Sequence, residues 1–75
     1  MKIKIILEGY LKNKYLSSTL ELNYPKPVTI HQVLEDAKIS LSDVWLIKIG
    51  DSNVKKDYLL KRSSEVRLFQ IVGGG

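Results

Sequence analysis

The last ten residues of the chain, 66–75, constrain the fold more than any other stretch. Residues 66–72 have the composition of a β-strand, with β-branched and aromatic side chains and neither proline nor glycine. Three glycines, Gly73, Gly74 and Gly75, follow directly and would span at most roughly 10 Å when extended. The pattern predicts a firmly packed strand that carries a thin, flexible glycine tail.

A glycine tail of this kind suits activation of its terminal carboxylate. That group is an anion at neutral pH, because its reference pKa is about 3.3–3.7, and it reacts poorly until it is activated, for example as an acyl-adenylate. Glycine has no Cβ, so a narrow enzymatic channel can admit the tail. A frayed domain end is the alternative interpretation, and the tail alone favours it, since short glycine motifs often occur by chance.

The composition indicates one small globular domain and excludes several kinds of site. The chain has 75 residues and no cysteine. It therefore lacks a disulfide framework, thiolate metal ligands and a cysteine nucleophile. No apolar run approaches the about 20 residues that span a membrane, and the first residues lack a signal-peptide pattern. We expect a cytoplasmic protein with no membrane partner.

The charge distribution favours a protein partner over nucleic acid. The net charge is +4, and the basic residues are dispersed along the sequence. Nucleic-acid binding would require clustered arginines with exposed aromatic side chains. A mild, dispersed positive field better fits an acidic protein partner, and we expect the free chain to be a monomer.

The first half of the chain predicts a hairpin followed by a helix. Alternating side chains predict strands over residues 2–10 and 16–24, joined by a polar turn at residues 12–14. Thr29 is a good N-cap, and Gln32 completes a capping box. An apolar stripe on one face extends this helix to about Lys38.

The second half predicts two more strands and hence the fold. Residues 44–50 form a third strand with Trp45, Ile47 and Ile49 on one face, residues 51–53 form a turn, and residues 54–60 are ambiguous. A polar turn leads into the last strand. This order predicts an α+β, β-grasp fold in which a mixed sheet of four to five strands wraps one helix. The predicted strand order is second, first, last, third, within a domain of residues 1–72 followed by a tail of residues 73–75.

Parity along the strands and spacing along the helix predict the core. The same parity places Leu68 inside and Phe69 outside the domain. The predicted core residues are Ile3, Ile5, Leu7, Leu20, Leu22, Ile30, Val33, Leu34, Ile47, Ile49, Val66 and Leu68. We expect the side chains of Leu59 and Leu60 to be buried at the open end of this core and to close it.

The outward side chains of the sheet predict a partner-binding surface beside the tail. We expect a basic end formed by Lys4, Arg67 and Lys48. We expect an apolar end where the tail leaves, formed by Ile6, Phe69, Ile71, Leu46 and Val44. A grouped apolar patch on a small monomer is typical of a binding surface, whereas scattered apolar residues need no explanation.

The order of elements and the C-terminal stretch resemble the ubiquitin-like sulfur carriers of the ThiS/MoaD family. The resemblance covers the whole chain in pattern, and residues 66–75 are its specific part. Residues 68–75, Leu-Phe-Gln-Ile-Val-Gly-Gly-Gly, are closer to the thiamine-pathway carriers than to the small subunit of molybdopterin synthase. Ser64 and Glu65 stand where the family usually has a Gly-Asp turn.

The resemblance implies a protein cosubstrate with no catalytic residues and no bound cofactor or metal. An activating enzyme would use ATP and magnesium to adenylate the Gly75 carboxylate, with Gly73 and Gly74 threaded through its channel. A sulfurtransferase would then supply sulfur for a thiocarboxylate, and a sulfur-accepting synthase would use it for the thiamine thiazole or, second, for molybdopterin.

Two other classes of function remain open. A ubiquitin-like modifier would share the activation step but would end in an isopeptide bond to a lysine. A non-covalent β-grasp interaction domain would not need its tail at all.

Overall fold

The computed structural model describes residues 1–70 of the chain, in which short strands alternate with short helices. In chain order the elements are β1 (Lys2–Leu7), α1 (Tyr10–Tyr15), β2 (Thr19–Asn23), β3 (Val28–Thr29), α2 (Ile30–Asp36), a 3-10 helix (Leu41–Asp43), β4 (Leu46–Ile49), β5 (Ser52–Val54), β6 (Leu59–Leu60) and β7 (Ser64–Phe69). Within residues 1–70 neither α-helix is long or apolar enough to cross a membrane.

Five of the strands form one mixed sheet, in the order β2-β1-β7-β4-β5. The first strand pairs antiparallel with β2 and parallel with β7, and β4 pairs antiparallel with β7. The predicted order of second, first, last and third strand is confirmed, with a short strand added at the edge. The parallel pair requires a crossover, which contains α2. Among the antiparallel pairs, β4 and β5 are joined by a tight turn, whereas β1 and β2 are joined through α1, and β5 and β6 lie between β4 and β7 in the chain.

The ambiguous stretch after β4 separates into two short strands. Gly50 has a φ of +60° and turns the chain with Asp51, so β5 returns along the edge of the sheet. The predicted turn at residues 51–53 is therefore wrong, because Ser52 and Asn53 already belong to β5. A second, two-stranded sheet pairs β6 with β3, the short strand that precedes α2.

The second helix begins where the sequence predicts and ends slightly earlier. The backbone N–H of Gln32 donates to the Thr29 hydroxyl over 3.2 Å, which is half of a capping box. The Gln32 side chain instead donates to Asp36, one turn further along. Lys38, the predicted end, follows the helix with a φ of +62°.

The first helix contradicts the prediction of a long hairpin. The strand predicted over residues 2–10 ends at Leu7, and the predicted turn at residues 12–14 lies inside α1. Gly9, with a φ of +56°, ends the strand, and Leu11 is completely buried in the core. Tertiary packing of one leucine thus overrides a weak local pattern. The strand predicted over residues 16–24 shortens to β2.

One hydrophobic core lies between the large sheet and α2. Its buried members are Ile3, Ile5, Leu7, Leu11, Val28, Ile30, Val33, Leu34, Ile39, Ile47, Leu60, Val66 and Leu68. Nine of the twelve predicted core residues are in this set, while Leu20, Leu22 and Ile49 are half-buried and pack against it. Leu60 closes the core as expected, but Leu59 is exposed. A mixed sheet that shares one core with one main helix is the α+β, β-grasp arrangement that the element order predicts.

Candidate functional site

The last described strand, β7, occupies the centre of the sheet and fixes where the chain leaves it. It is bordered by β1 on one side and β4 on the other. Leu68 is completely buried and Phe69 is half-buried, so the predicted register is confirmed. The chain continues from Gln70 into residues outside the described part. Four predicted site residues lie there: Ile71, Gly73, Gly74 and Gly75.

The open face of the sheet carries Arg67 and Lys48 in one row. Arg67 on β7 stands directly opposite Lys48 on β4, as expected for the basic end. On its other side Arg67 stands opposite Ile6 of β1. The expectation that Ile6 lies at the apolar end beside Phe69 is therefore wrong. The parallel register places Ile6 one row before Phe69, in the middle of the basic residues.

Carboxylates compensate much of this basic character. Lys4 lies in the next row, opposite Glu21 on β2 and Glu65 on β7. Arg67 forms an ion pair with Glu8, with 2.7 Å between Nη1 and Oε2, and its Nη2 lies 3.7 Å from Oε1 of Glu65. Surface pairs of this kind contribute little to stability, but they reduce the positive field of the face.

The apolar end of the face consists of Phe69 and Leu46, and the exposed Trp45 directly precedes the strand that carries Leu46. Phe69 and Leu46 stand opposite each other and are half-buried. Val44 does not join them: it packs against the core, because it follows the 3-10 helix and strand parity does not apply to it. Trp45, which the sequence placed on the same face as Ile47, has 65% of its surface exposed, and its backbone N–H donates to the Phe69 carbonyl over 2.8 Å.

Trp45 is thus the binding candidate that sequence reasoning missed. The reason lies in the start of the strand. Because β4 begins at Leu46, the alternation that points Ile47 into the core does not apply to Trp45. The indole borders an open hollow of about 450 Å³ that Val54, Lys55 and Lys56 also line. An exposed tryptophan beside an apolar hollow with basic residues is typical of a protein-binding surface.

The first helix lies at the same end of the sheet and presents two exposed apolar side chains. Leu16 is 90% exposed and Tyr10 is 52% exposed. Leu7, the last residue of β1, shows where these two residues lie. Its N–H donates to the Ser18 carbonyl over 2.9 Å, two residues after Leu16, and Leu7 itself lies beside Leu68 of β7. Both ends of α1 therefore stand near the point where the chain leaves the sheet.

A polar network fixes α1 to the 3-10 helix. Lys14 donates to one carboxylate oxygen of Asp43 over 2.8 Å, and the Tyr15 hydroxyl donates to the other over 2.5 Å. The Tyr15 oxygen also accepts from the Ser40 N–H over 3.0 Å. Hydrogen bonds from Lys14 and Tyr15 lower the pKa of Asp43, while burial and then Asp43 raise the pKa of Tyr15. The bond to Asp43 also raises the pKa of Lys14.

The side chains of residues 1–70 include no group of three or more His, Asp or Glu placed to hold a metal ion. What this part of the molecule offers is a surface: Phe69, Leu46 and Trp45 on one side of the chain exit, and α1 on the other. Such an arrangement suits contact with another protein around the segment that follows Gln70.

The solved structures that resemble the chain include two that cover nearly all of it. One is the crystal structure of SAMP1 from Haloferax volcanii, with a TM-score of 0.81 and 16% sequence identity, covering 100% of both chains. The other is described as putative molybdopterin converting factor, subunit 1 from Pyrococcus furiosus, with a TM-score of 0.73 and 16% identity, covering 96% of this chain and 99% of that one.

No protein-family model and no curated protein matches the sequence. The structural likenesses therefore establish the fold, and at 16% identity they establish nothing finer. The chain has the ubiquitin-like β-grasp fold.

Proposed function

We propose that the chain is a ubiquitin-like carrier protein whose Gly75 carboxylate is activated with ATP and loaded with sulfur. The observation that supports this most is the position of β7, a central strand that delivers the segment ending in Gly73, Gly74 and Gly75 from the middle of the sheet. A segment that starts from a fixed point can be directed into the active site of another protein. The likeness to the Pyrococcus converting factor subunit supports the same conclusion.

The chain acts in this proposal as a cosubstrate. A carboxylate oxygen of Gly75 attacks the α-phosphorus of magnesium-bound ATP in the activating enzyme, and pyrophosphate leaves. Sulfide (HS⁻), delivered by a sulfurtransferase, then attacks the carbonyl carbon and displaces AMP, so that a C–S bond replaces the bond to the phosphate oxygen. Loss of the S–H proton to solvent leaves a thiocarboxylate without a change of oxidation state. A synthase finally accepts that sulfur. The nucleotide and the metal belong to the activating enzyme.

The sulfur acceptor is proposed to be a cofactor precursor. The C-terminal sequence resembles carriers for the thiamine thiazole, whereas the name of the Pyrococcus protein favours a pterin precursor of molybdopterin. Supplying the thiocarboxylate form to purified thiazole and molybdopterin synthases would distinguish the two, since only the correct synthase should consume it.

The intact mass of the protein from its native cell tests the proposal directly. A terminal thiocarboxylate replaces one oxygen by sulfur, and the mass increases by that difference alone. High-mass conjugates that contain an isopeptide bond from Gly75 would instead indicate a protein modifier. A chain that extends beyond Gly75, or that carries neither change, would contradict activation at this residue.

Phe69 is the residue through which the sheet is proposed to dock on the activating enzyme. Phe69 stands opposite Leu46 in the sheet and is only half-buried, so Phe69→Asp should preserve the fold. We expect the affinity for the purified activating enzyme to fall at least about tenfold, as for an aromatic anchor. The matched control is Leu59→Asp, in the second sheet, which should bind normally. Equal affinity of the folded Phe69→Asp protein would place the docking surface elsewhere.

A further inference from the structure

Leu16 combines a backbone conformation that is strained for leucine with an apolar side chain in water. The backbone N–H groups of Leu16 and Ser17 both donate to the Lys12 carbonyl, which closes the end of α1 but does not bury the Leu16 side chain. Leu16 ends α1 in the left-handed conformation, with a φ of +53° and a ψ of +37°. Helices usually place glycine or asparagine there, because a Cβ is strained in this region. Its side chain is also 90% exposed, so packing against the rest of the described chain does not compensate for the strain.

The other helix shows that strain at a helix end is not by itself unusual. Lys38 follows α2 with a φ of +62°, close to that of Leu16. Lysine, however, has a charged head that is well solvated in water. Of these two residues, Leu16 has the apolar side chain, and that side chain is exposed to water on an equally strained backbone. For folding alone, asparagine would be the better residue at position 16.

The position of Leu16 in the sheet indicates which binding partner its side chain would meet. The start of β2 lies beside β1, which lies beside β7. Two strand spacings, or about 10 Å, separate β2 from β7. Leu16 precedes β2 at the end of the sheet where the chain passes Gln70. A protein that receives the C-terminal segment must therefore come close to this leucine.

The rest of α1 fixes the backbone that carries Leu16 and sets the charge around it. Asp43 binds both Lys14 and Tyr15, and Leu11 anchors the helix in the core, so the backbone of α1 has little conformational freedom to lose on binding. Lys14 is already paired with Asp43 over 2.8 Å, so within residues 1–70 Lys12, one turn before Leu16, supplies the positive charge of α1 that a partner can meet. The complement of Leu16 and Lys12 is an apolar pocket with a carboxylate at its rim.

We propose that Leu16 is a specificity-determining contact that inserts into an acidic-rimmed apolar pocket of the ATP-dependent enzyme activating Gly75. The proposal rests on the proposed function and adds a second contact to it, on the opposite side of the exit from Phe69 and Trp45. An enzyme without this pocket would leave Leu16 in water and would bind less tightly. Burial of a leucine side chain amounts to about ten- to a hundredfold in affinity.

The test measures stability and activation on the same variants of the full chain. Leu16→Asn should raise the Tm by on the order of 4 °C, because the strain is relieved. With the purified activating enzyme and ATP, it should lower kcat/KM for the chain by about tenfold or more, through KM with kcat unchanged. Leu16→Met keeps an apolar side chain and should retain most of the wild-type kcat/KM.

Lys38→Asn is the matched control, since it relieves the same backbone strain at the other helix. It should raise the Tm similarly and leave kcat/KM unchanged. Equal kcat/KM for Leu16→Asn and wild type, or an equal loss in Lys38→Asn, would overturn the contact. So would a wild-type dimer that Leu16→Asn abolishes in sedimentation, because a second copy would then occupy Leu16. A wild-type chain that the enzyme does not adenylate would refute the proposed function itself, and this proposal with it.

Discussion

The two helices of this small domain are of similar length but are specified in different ways. The second helix has an N-cap from Thr29 and an apolar stripe that faces the core. The first has no side-chain cap, starts after Gly9 in a positive-φ conformation and ends at the strained Leu16. It is held by the burial of Leu11 and by the bonds of Lys14 and Tyr15 to Asp43.

Local sequence signals therefore suffice to predict α2, whereas α1 is recognised only from its contacts with distant parts of the chain. Neither α1, with six residues, nor α2, with seven, would be stable alone in water, so tertiary packing holds both helices. The difference has a functional counterpart, because α2 lies against the core and α1 borders the end of the sheet from which the C-terminal segment leaves.

The largest expected effect tests whether one leucine anchors α1. Leu11→Ala should lower the free energy of unfolding by about 2–5 kcal/mol, as Leu34→Ala in α2 and Leu68→Ala in β7 should, since all three side chains are fully buried. Urea unfolding followed by circular dichroism measures the loss. A cost below about 1 kcal/mol for Leu11 would mean that the core does not hold α1.

A smaller effect tests the backbone at the start of α1. Gly9 has a φ of +56° and a ψ of −130°, a region that residues with a Cβ rarely enter. A methyl group there would meet no atom within 4 Å, so any cost of Gly9→Ala comes from the backbone. We expect a loss of about 1–3 kcal/mol in the free energy of unfolding. Asn13→Ala, inside α1, is a control that should be nearly neutral; an equally neutral Gly9→Ala would show that the strand can end without positive φ.

The smallest effect concerns alkaline pH, where both helices lose a tyrosine bond. Burial and then the bond to Asp36 raise the pKa of Tyr24 to about 12, and the Tyr15 pKa is raised as well. The folded state thus holds these protons more tightly than the unfolded state, whose tyrosines have a pKa of about 10. The stabilisation from Tyr24 is complete below pH of about 10 and is lost as pH rises through about 12, and the stabilisation from Tyr15 is lost in the same direction. Thermal unfolding of Tyr24→Phe should depend less on pH in this window; identical profiles would contradict the raised pKa.

Strand parity predicted the sheet because each strand has one buried face. Leu68, Val66 and Ile5 are buried as their alternation requires, and the parallel pair of β1 and β7 at the centre of the sheet follows from the crossover that contains α2. The parallel register between β1 and β7 was not predictable in the same way, and it moved Ile6 beside Arg67.

Parity failed where the chain is not a strand. Val44 and Trp45 precede β4, where strand alternation does not apply. Val44 therefore packs against the core, and Trp45 is exposed. The sequence placed Leu11 in a hairpin, because a helix of six residues is too short to show a recognisable helical periodicity. The candidate site combines both kinds of region: Phe69 follows from the pattern, whereas Trp45 and Leu16 required the fold.

The central claim is that Gly75 carries the group that is activated, and that it contributes nothing to folding. The direct measurement is ATP–pyrophosphate exchange by the purified activating enzyme, with the wild-type chain and with a chain that lacks Gly75, alongside the Tm of each. We predict that the shortened chain keeps its Tm within about 2 °C, because no core residue is removed, and supports no exchange. Exchange at the wild-type rate with the shortened chain would contradict activation at Gly75.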